Sequence, residues 1–374
     1  MLEKRGSKGT IKIGVLVPRS KEYPKAGTSV VDGIKLYFTI FKNHFERGKV
    51  ELVFEDIGVG SFSSVSEKTQ KLILEHQVVA IAAHINSIVA VELAQLLHSY
   101  KIPLLVSNLG EAIIGSSIIP ENLFLNTFQF WQSYFLLGQY LSENYNYKFA
   151  IISSLYDSGY DPLRGFRKGA DNGKIVNEIF LNASEGSGLI SELENFPIIS
   201  KDSIPALFFP PRLLNHFIDN TQWENQHLVV TPFYTNNNNQ PKYWAMQAES
   251  LSSTDENLTQ GAYEYLETNP DLFLILGYRC GALLYACAQS LTDDKHDYQM
   301  ILDTWGDFSL KLAKETFSIN PENHELSGDI HLYEGTSLSN KKCMSVVQSS
   351  HISNDVMREL SATKTAFTNP YMFY

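Results

Sequence analysis

The sequence predicts an α/β protein built from two doubly wound parallel sheets. Three observations support this class: short strands that are apolar throughout, amphipathic helices between them, and a second run of the same alternation in the middle of the chain. A continuously apolar run is typical of a strand that is buried on both faces. Strands that alternate with helices form a parallel sheet with crossover helices.

The first third of the chain carries the clearest alternation. One predicted helix follows Gly27, and a second is opened by Ser64, with Glu67 three residues on as in a capping box. A third helix is predicted over residues 88–100. The predicted strands are residues 11–18, 50–56, 78–84 and 104–107. This order predicts one doubly wound parallel sheet.

The same alternation starts again at residue 148 and predicts a second sheet. Its strands are predicted at residues 148–154, 206–210 and 227–233. Helices are predicted at 131–145 and, as a long apolar segment, at 270–291. Residues 327–335 and 342–348 are typical of an antiparallel hairpin, and residues 349–374 have the weak periodicity of an irregular tail.

The composition is globular and acidic. A length of 374 residues is enough for roughly two domains of about 150 residues each. The formal charge of −11 argues against binding to nucleic acid or docking on anionic lipid. No stretch reaches the roughly 20 apolar residues that span a bilayer.

The start of the chain and its cysteines leave the compartment open. Residues 1–10 are basic but lack the apolar segment of a signal peptide, which fits either a cytosolic protein or one from which a leader has been removed. Cys280 and Cys287 are seven positions apart on a predicted helix, about 10 Å along its axis, too far for a disulfide. Cys343 could pair with one of them, but we expect three buried free thiols.

The usual catalytic motifs are missing from the sequence. The glycines at 58–61 and 169–174 complete neither a dinucleotide nor a phosphate-binding loop. His84 ends a predicted strand and is interpreted as a hydrogen-bonded core histidine rather than a metal ligand. Glu55 and Asp56 point to opposite faces of one strand, which makes them poor acid/base partners. We therefore predict no enzyme, no metal and no cofactor.

Four stretches of the sequence stand out in this order: residues 11–38, 80–108, 149–169 and 269–291, the last followed by 326–335. Together they resemble the type I periplasmic solute-binding proteins, in particular the leucine/isoleucine/valine-binding branch of ABC importers. The resemblance implies two lobes joined by a three-segment hinge. The N-terminal lobe would take residues 1–127 plus 264–327, and the C-terminal lobe residues 128–263 plus 328–374. Ligand would bind between them, at the carboxyl ends of parallel strands.

The resemblance also implies a carboxylate site near the Asn86-Ser87 pair. Ser87 occupies the position whose hydroxyl and neighbouring helix amides hold a ligand carboxylate, and a helix N-terminus is a ready anion site. Two roles fit Ser87, since it can also cap its own helix. Gly110 stands where the family usually has Thr or Ser, so one hydroxyl contact is missing, and Asn108 can compensate for it. Tyr160 matches the tyrosine that covers the ligand.

This sequence lacks the acid with which the family binds the ammonium group of its ligand. Phe233 stands where an acid usually pairs with the ligand ammonium, and an unpaired buried charge would cost several kcal/mol. Either an acid from elsewhere serves, or the ligand is not an ordinary α-amino acid. Tyr23, Phe233 and Tyr234 predict an aromatic-lined cleft. Arg212 lies at a strand end and faces either the cleft or the solvent.

The leading hypothesis is therefore a solute-binding protein that delivers a carboxylate-bearing ligand, amino-acid-like or aromatic, to an ABC permease. The alternative is a ligand-sensing extracellular domain of a longer protein with a signalling partner. The resemblance implies a periplasmic or lipid-anchored monomer with its leader removed, at most peripheral to the membrane, and no nucleic-acid partner.

Overall fold

Fifteen strands form two sheets in the part of the chain that is described by this computed structural model. That part comprises residues 10–19, 24–42, 49–115, 119–154, 161–181, 202–209, 211–220, 227–230, 242–247, 255–291, 297–335, 341–348 and 352–362. The strands are β1 Thr10–Val17, β2 Lys49–Asp56, β3 Ala80–Ala83, β4 Leu104–Asn108, β5 Leu123–Thr127, β6 Lys148–Ser154, β7 Ile175–Leu181, β8 Ser203–Phe208, β9 His227–Val229, β10 Lys242–Gln247, β11 Ser309–Leu312, β12 Glu315–Ile319, β13 Glu325–Ser327, β14 Asp329–Gly335 and β15 Lys341–Gln348.

The first sheet has the order β11-β12-β13-β5-β4-β3-β1-β2, and the second has the order β15-β14-β10-β9-β8-β6-β7. The strands from β13 to β2 pair in parallel, as do those from β10 to β7. Each sheet is closed at one side by antiparallel strands, β12 with β11 and β14 with β15. The prediction of two parallel sheets and of a late hairpin is confirmed.

Helices lie between the strands and cover the sheets. They are α1 Ala26–Phe41, α2 Phe62–Leu74, α3 Ser87–His98, α4 Phe130–Asn144, α5 Asp161–Gly169, α6 Pro211–Asn220, α7 Glu256–Leu266, α8 Leu272–Ser290, α9 Tyr298–Gly306 and α10 Asn354–Ala362. One apolar cluster of buried side chains includes Ile13 of the first sheet, Phe130 of α4 and Phe149 of the second sheet. The two sheets therefore share a continuous core through α4.

The chain passes between the sheets three times. It leaves the first sheet between β5 and α4, returns between β10 and α7, and leaves again between β13 and β14. The first and third crossovers are tied together, because the backbone N–H of Gly328 donates to Gln129 Oε1 at 3.1 Å. This is the two-lobed, three-segment architecture that the family resemblance implied.

Helix α8 is the central core helix of the first lobe. It packs against α1 through glycines, since a Cβ atom at Gly277 would clash with the carbonyl oxygen of Val30. By length and composition α8 is apolar enough to cross a membrane, in contrast to the expectation from the sequence, but 83% of its apolar window is buried inside the fold. A mostly buried helix of this kind is typical of a globular core.

Three local predictions are wrong. Helix α2 is capped by Ser61, whose hydroxyl accepts from the N–H of Ser64, so the helix begins before the predicted capping box. The tail contains the helix α10, which the short periodicity of residues 354–362 did not reveal. Cys280 and Cys287 are buried free thiols, but Cys343 is exposed because it lies on β15, at the edge of the second sheet.

Candidate functional site

Polar side chains meet where the central parallel strands of the first sheet end. Ser87 begins α3 just after β3, Asn108 ends β4, and Thr127 ends β5. The three residues lie at one edge because the strands are parallel neighbours, with Asn108 directly paired to Thr127. All three are buried. The carboxyl edge of a parallel sheet is the usual position of a ligand site in such folds.

Asn108 orients the hydroxyl of Ser87. Its Nδ2 donates to Ser87 Oγ at 2.9 Å and to the carbonyl oxygen of Ile85 at 3.0 Å. Its Oδ1 accepts from the N–H of Gly110 at 2.9 Å. The amide is therefore fully fixed, and the Ser87 oxygen acts as an acceptor toward it. The hydroxyl proton of Ser87 is then available to donate to another group.

Asn86, and not Ser87, caps helix α3. The side-chain oxygen of Asn86 accepts from the N–H of Val89 at 2.9 Å, and Asn86 has the extended backbone of an N-cap residue. Ser87 is the first residue of the helix. The alternative in which Ser87 only caps its own helix is therefore wrong. The first N–H groups of α3 and the helix dipole give this position a positive potential.

The backbone conformation at position 110 requires a glycine. Its φ is +74°, and a Cβ atom there would lie 2.9 Å from both the backbone N of Gln129 and Thr127 Oγ1. A Thr or Ser at this position would be strained and would clash. The carbonyl of Gly110 instead accepts from the N–H of Trp131 at 3.0 Å, which joins the end of β4 to the start of α4.

His84 is a core residue, as predicted. Its Nδ1 lies 2.7 Å from the carbonyl oxygen of Ser107, and its ring packs edge-on against Phe273. Burial lowers the pKa of His84 to about 4, so the ring is neutral at pH 7. The neutral imidazole donates from Nδ1 to the carbonyl.

A cleft of about 680 Å³ lies between the sheets, beside the first and third crossovers. Its walls come from the start of α4, from β12 and β13 with the loop between them, and from the segment that leads into α10. The residues that line it are Trp131, Gln132, Thr316, Ser318, Ile319, Asn320, Pro321, Glu322, Asn323, Glu325, Ser327, Gly328, Asp329, Ile352, Ser353 and Met357. A smaller adjoining pocket shares Gln132 and Glu325 with it and reaches Ser87 and Gly110.

Glu325 is the buried acid of this cleft. Thr127 Oγ1 donates to its Oε1, and its Oε2 accepts from Gln132 Nε2 at 2.8 Å and from Asn323 Nδ2 at 3.3 Å. Burial raises the pKa of Glu325, while the hydroxyl of Thr127 and the charge of Arg279 oppose that rise. All of the donors named here favour the ionised carboxylate.

A second acid joins the two lobes directly. Oδ2 of Asp161, at the start of α5, accepts from the N–H of Ile113 at 2.6 Å, and its Oδ1 pairs with Arg164 at 2.5 Å. Nearby, burial raises the pKa of Glu111 to about 7, and the charge of Asp161 adds to this rise. The loop after β4 is thus bonded to the second lobe.

The structure brings together Ser87, Asn108 and Gly110 of the predicted site, with Asn86 beside them as the helix cap. Four other predicted residues, Tyr23, Tyr160, Phe233 and Tyr234, lie outside the described residues. Arg212 is the second residue of α6, and its side chain lies outside the described part of the chain.

Sequence reasoning missed Gln132 and Glu325. Both stand next to lobe crossovers, at the start of α4 and in the three-residue strand β13. The family resemblance placed crossovers near residues 127 and 327, and polar residues beside a crossover are the signal that would have found them.

Comparison with known proteins agrees with this architecture. Residues 10–193 match the family model of the periplasmic binding proteins. A search of curated proteins finds no significant match.

Three solved structures show how far the similarity extends. A solute-binding protein of an R. palustris ABC transporter, in complex with benzoate, is 19% identical, with a TM-score of 0.72 over 91% of this chain and 97% of that one. An ABC transporter substrate-binding protein from Sphaerobacter thermophilus is 17% identical, with a TM-score of 0.75 over 91% and 98%. A branched-chain amino acid transporter substrate-binding protein from Streptococcus pneumoniae, in complex with isoleucine, is 16% identical, with a TM-score of 0.67 over 91% and 99%.

At these identities the solved structures show the fold alone, and the similarity in fold covers both lobes. The family match over residues 10–193 covers the first five strands and the start of the second sheet. The chain therefore resembles the periplasmic binding proteins over residues 10–193 and shares the type I fold of these solved structures across both lobes.

Proposed function

We propose that the protein is an extracytoplasmic solute-binding protein that captures a small carboxylate-bearing ligand between its lobes and delivers it to an ABC permease. The observation that carries this proposal is the pocket at the start of α3, where Asn108 fixes Ser87 Oγ so that its proton is free to donate. A hydroxyl at a helix N-terminus is suited to a carboxylate.

The ligands of similar structures support the same chemical class. The R. palustris protein holds benzoate and the S. pneumoniae protein holds isoleucine, and both molecules carry a carboxylate. Another R. palustris solute-binding protein, 20% identical to this chain, holds 4-hydroxybenzoate. We propose that Ser87, with the first amides of α3, binds the carboxylate in this chain. The rest of the ligand lies toward Trp131.

The lobes that close on the ligand are proposed to be residues 1–127 plus 264–327 and 128–263 plus 328–374. The membership of the two sheets supports the bounds near 127 and 327. Gly261 of α7 packs against Ile40 of α1, which favours a second bound nearer to residue 256. Closure about these crossovers is a hinge motion.

A thermal-shift screen tests the proposal. The panel contains benzoate, 4-hydroxybenzoate, isoleucine and phenylalanine, with glucose as a ligand that has no carboxylate. We expect at least one carboxylate to raise the melting temperature in proportion to the logarithm of its concentration, because it binds only the folded state. No response to any of the carboxylates, or a response to glucose alone, would contradict the assigned ligand class.

A further inference from the structure

Glu111 is buried at the junction of the two lobes. It follows Gly110 in the loop after β4 of the first sheet, and it is only 3% exposed. Second-lobe groups bind this loop on either side of it. The N–H of Trp131 donates to the carbonyl oxygen of Gly110 at 3.0 Å, and Asp161 Oδ2 accepts from the N–H of Ile113 at 2.6 Å. The Glu111 side chain is therefore buried between two points at which the loop contacts the second lobe.

Asp161 brings a second carboxyl group to this junction. Burial raises the pKa of Asp161, but the N–H of Ile113 and the paired Arg164 both favour its ionised form. For Glu111, N–H groups of its own loop favour ionisation, while burial and the like charge of Asp161 oppose it and raise the pKa to about 7. Two neighbouring carboxyl groups in one buried region do not both ionise without cost, and Arg164 makes Asp161 the one that keeps its charge.

The other elements around this loop do not reverse that balance in the described part of the chain. Residues 129–133 at the start of α4 are uncharged. Glu325 of β13 shares a small pocket with Gly110, and a further negative charge only opposes the ionisation of Glu111. The cation Arg164 is already paired with Asp161. Two more titratable residues, Asp157 and Tyr160, precede α5 and lie outside the described residues.

We propose that Glu111 takes up a proton when the lobes close on the ligand, so that capture is coupled to protonation. The inference rests on the proposed function, since closure is the binding step. When the lobes separate, α5 withdraws Asp161 and the loop regains water, so the pKa of Glu111 returns toward its ordinary value of 4.5. Between about pH 5 and 7 the closed state then binds more protons than the open state, and ligand affinity falls as pH rises through this interval.

Calorimetric titration of the full chain at pH 6 measures the coupled proton directly. The probe is whichever of benzoate, 4-hydroxybenzoate, isoleucine and phenylalanine gives the largest thermal shift, titrated in buffers that differ in ionisation enthalpy. We expect an uptake of about 0.5–0.9 proton per bound ligand, and an affinity that falls about tenfold from pH 5.5 to pH 8. An uptake below about 0.2 proton would overturn the coupling and leave the proposed function standing. If none of the four carboxylates binds at either pH, both proposals fail.

A substitution then assigns the proton to Glu111. The side chain in Glu111→Gln imitates a protonated carboxyl group, so this variant should take up no proton and should bind at pH 8 about tenfold tighter than wild type. A gain of affinity cannot come from a damaged fold. Glu92→Gln, which removes an exposed acid from α3 of the same lobe, is the control and should keep the wild-type uptake. An unchanged uptake in Glu111→Gln would refute the role of Glu111. The wild-type uptake remains decisive if that variant does not fold.

Discussion

Asn108 Nδ2 donates a 2.9 Å hydrogen bond to Ser87 Oγ, and this bond joins the end of β4 to the start of α3. The bond uses the oxygen of Ser87 as an acceptor and leaves its proton available for the carboxylate that we propose Ser87 binds. The neighbouring Asn86 performs the capping of the helix. The cap and the proposed ligand donor are thus adjacent but different residues, which makes their effects on stability and on binding separable by mutation.

Ser87→Ala should mainly weaken ligand binding, and Asn86→Ala should mainly lower stability. Ser87→Ala is expected to weaken carboxylate binding about tenfold, because it removes a donor to a charged group. Its cost in unfolding free energy should be small, since Asn108 Nδ2 keeps its bond to Ile85. Asn86→Ala should lower the free energy of unfolding by about 1 kcal/mol through loss of the cap. Calorimetry and urea denaturation measure the two effects, and a binding loss confined to Asn86→Ala would refute the assignment.

The packing of α8 on α1 should tolerate no side chain at Gly277. Gly277→Ala forces a Cβ against the backbone of Val30, and we expect it to lower the free energy of unfolding by about 2–4 kcal/mol. Gly306→Ala is the matched control, because a Cβ there meets nothing within 4 Å. Its effect in urea denaturation should stay within about 0.5 kcal/mol. Equal effects of the two substitutions would show that the helices are not this close.

Two buried titratable groups should drive stability in opposite directions with pH. The pKa of Glu111 is raised from 4.5 to about 7, so the folded state binds the extra proton, and stability is lost as pH rises through this interval. The pKa of His84 is lowered from 6.5 to about 4, so stability is lost as pH falls through that interval. Each contribution is on the order of 3 kcal/mol, and they offset each other between about pH 4.5 and 6.5.

Variants separate the two contributions. Glu111→Gln should stabilise the protein relative to wild type as pH rises from 5 to 8, and His84→Asn should stabilise it relative to wild type as pH falls from 7 to 5. Urea denaturation at pH 5, 6, 7 and 8 gives both slopes. Parallel curves for wild type and Glu111→Gln would mean that Glu111 is ionised in the folded state at its ordinary pKa.

Asp161 should support lobe closure without touching the pocket. Its carboxylate accepts from Ile113 N–H across the lobes at 2.6 Å. We expect Asp161→Ala to weaken ligand binding about five- to tenfold, because the closed state loses one charge-assisted hydrogen bond. Asp355→Ala, which removes an exposed acid from the first turn of α10, is the control and should leave affinity unchanged. Equal affinities of both variants and wild type would exclude this contact from closure.

The sequence predicts the central parallel strands well because burial on both faces leaves a continuous apolar run, as in Ala80–Ala83. The family resemblance predicts Ser87 and Asn108 as site residues, and the structure brings the two together at neighbouring strand ends. Their contact with a ligand stays a prediction. The sequence misses the start of α2, since Ser61 and Ser64 are equally good local caps and only the fold selects Ser61.

The cleft acids are harder to predict for a topological reason. Glu325 lies in a three-residue strand, too short to show a period, and it reaches Thr127 only because β13 pairs with β5 across 198 residues of sequence. Gly110 shows the opposite case. The family pattern indicates a missing hydroxyl there, and the positive φ explains why no side chain can occupy the position.

The most direct test of the central claim is a crystal structure of the protein with the tightest-binding carboxylate from the thermal-shift screen. The account predicts a ligand carboxylate oxygen within about 3.2 Å of Ser87 Oγ, at the N-terminus of α3 and between the two lobes. A ligand bound elsewhere, or one whose carboxylate points away from Ser87, would contradict it.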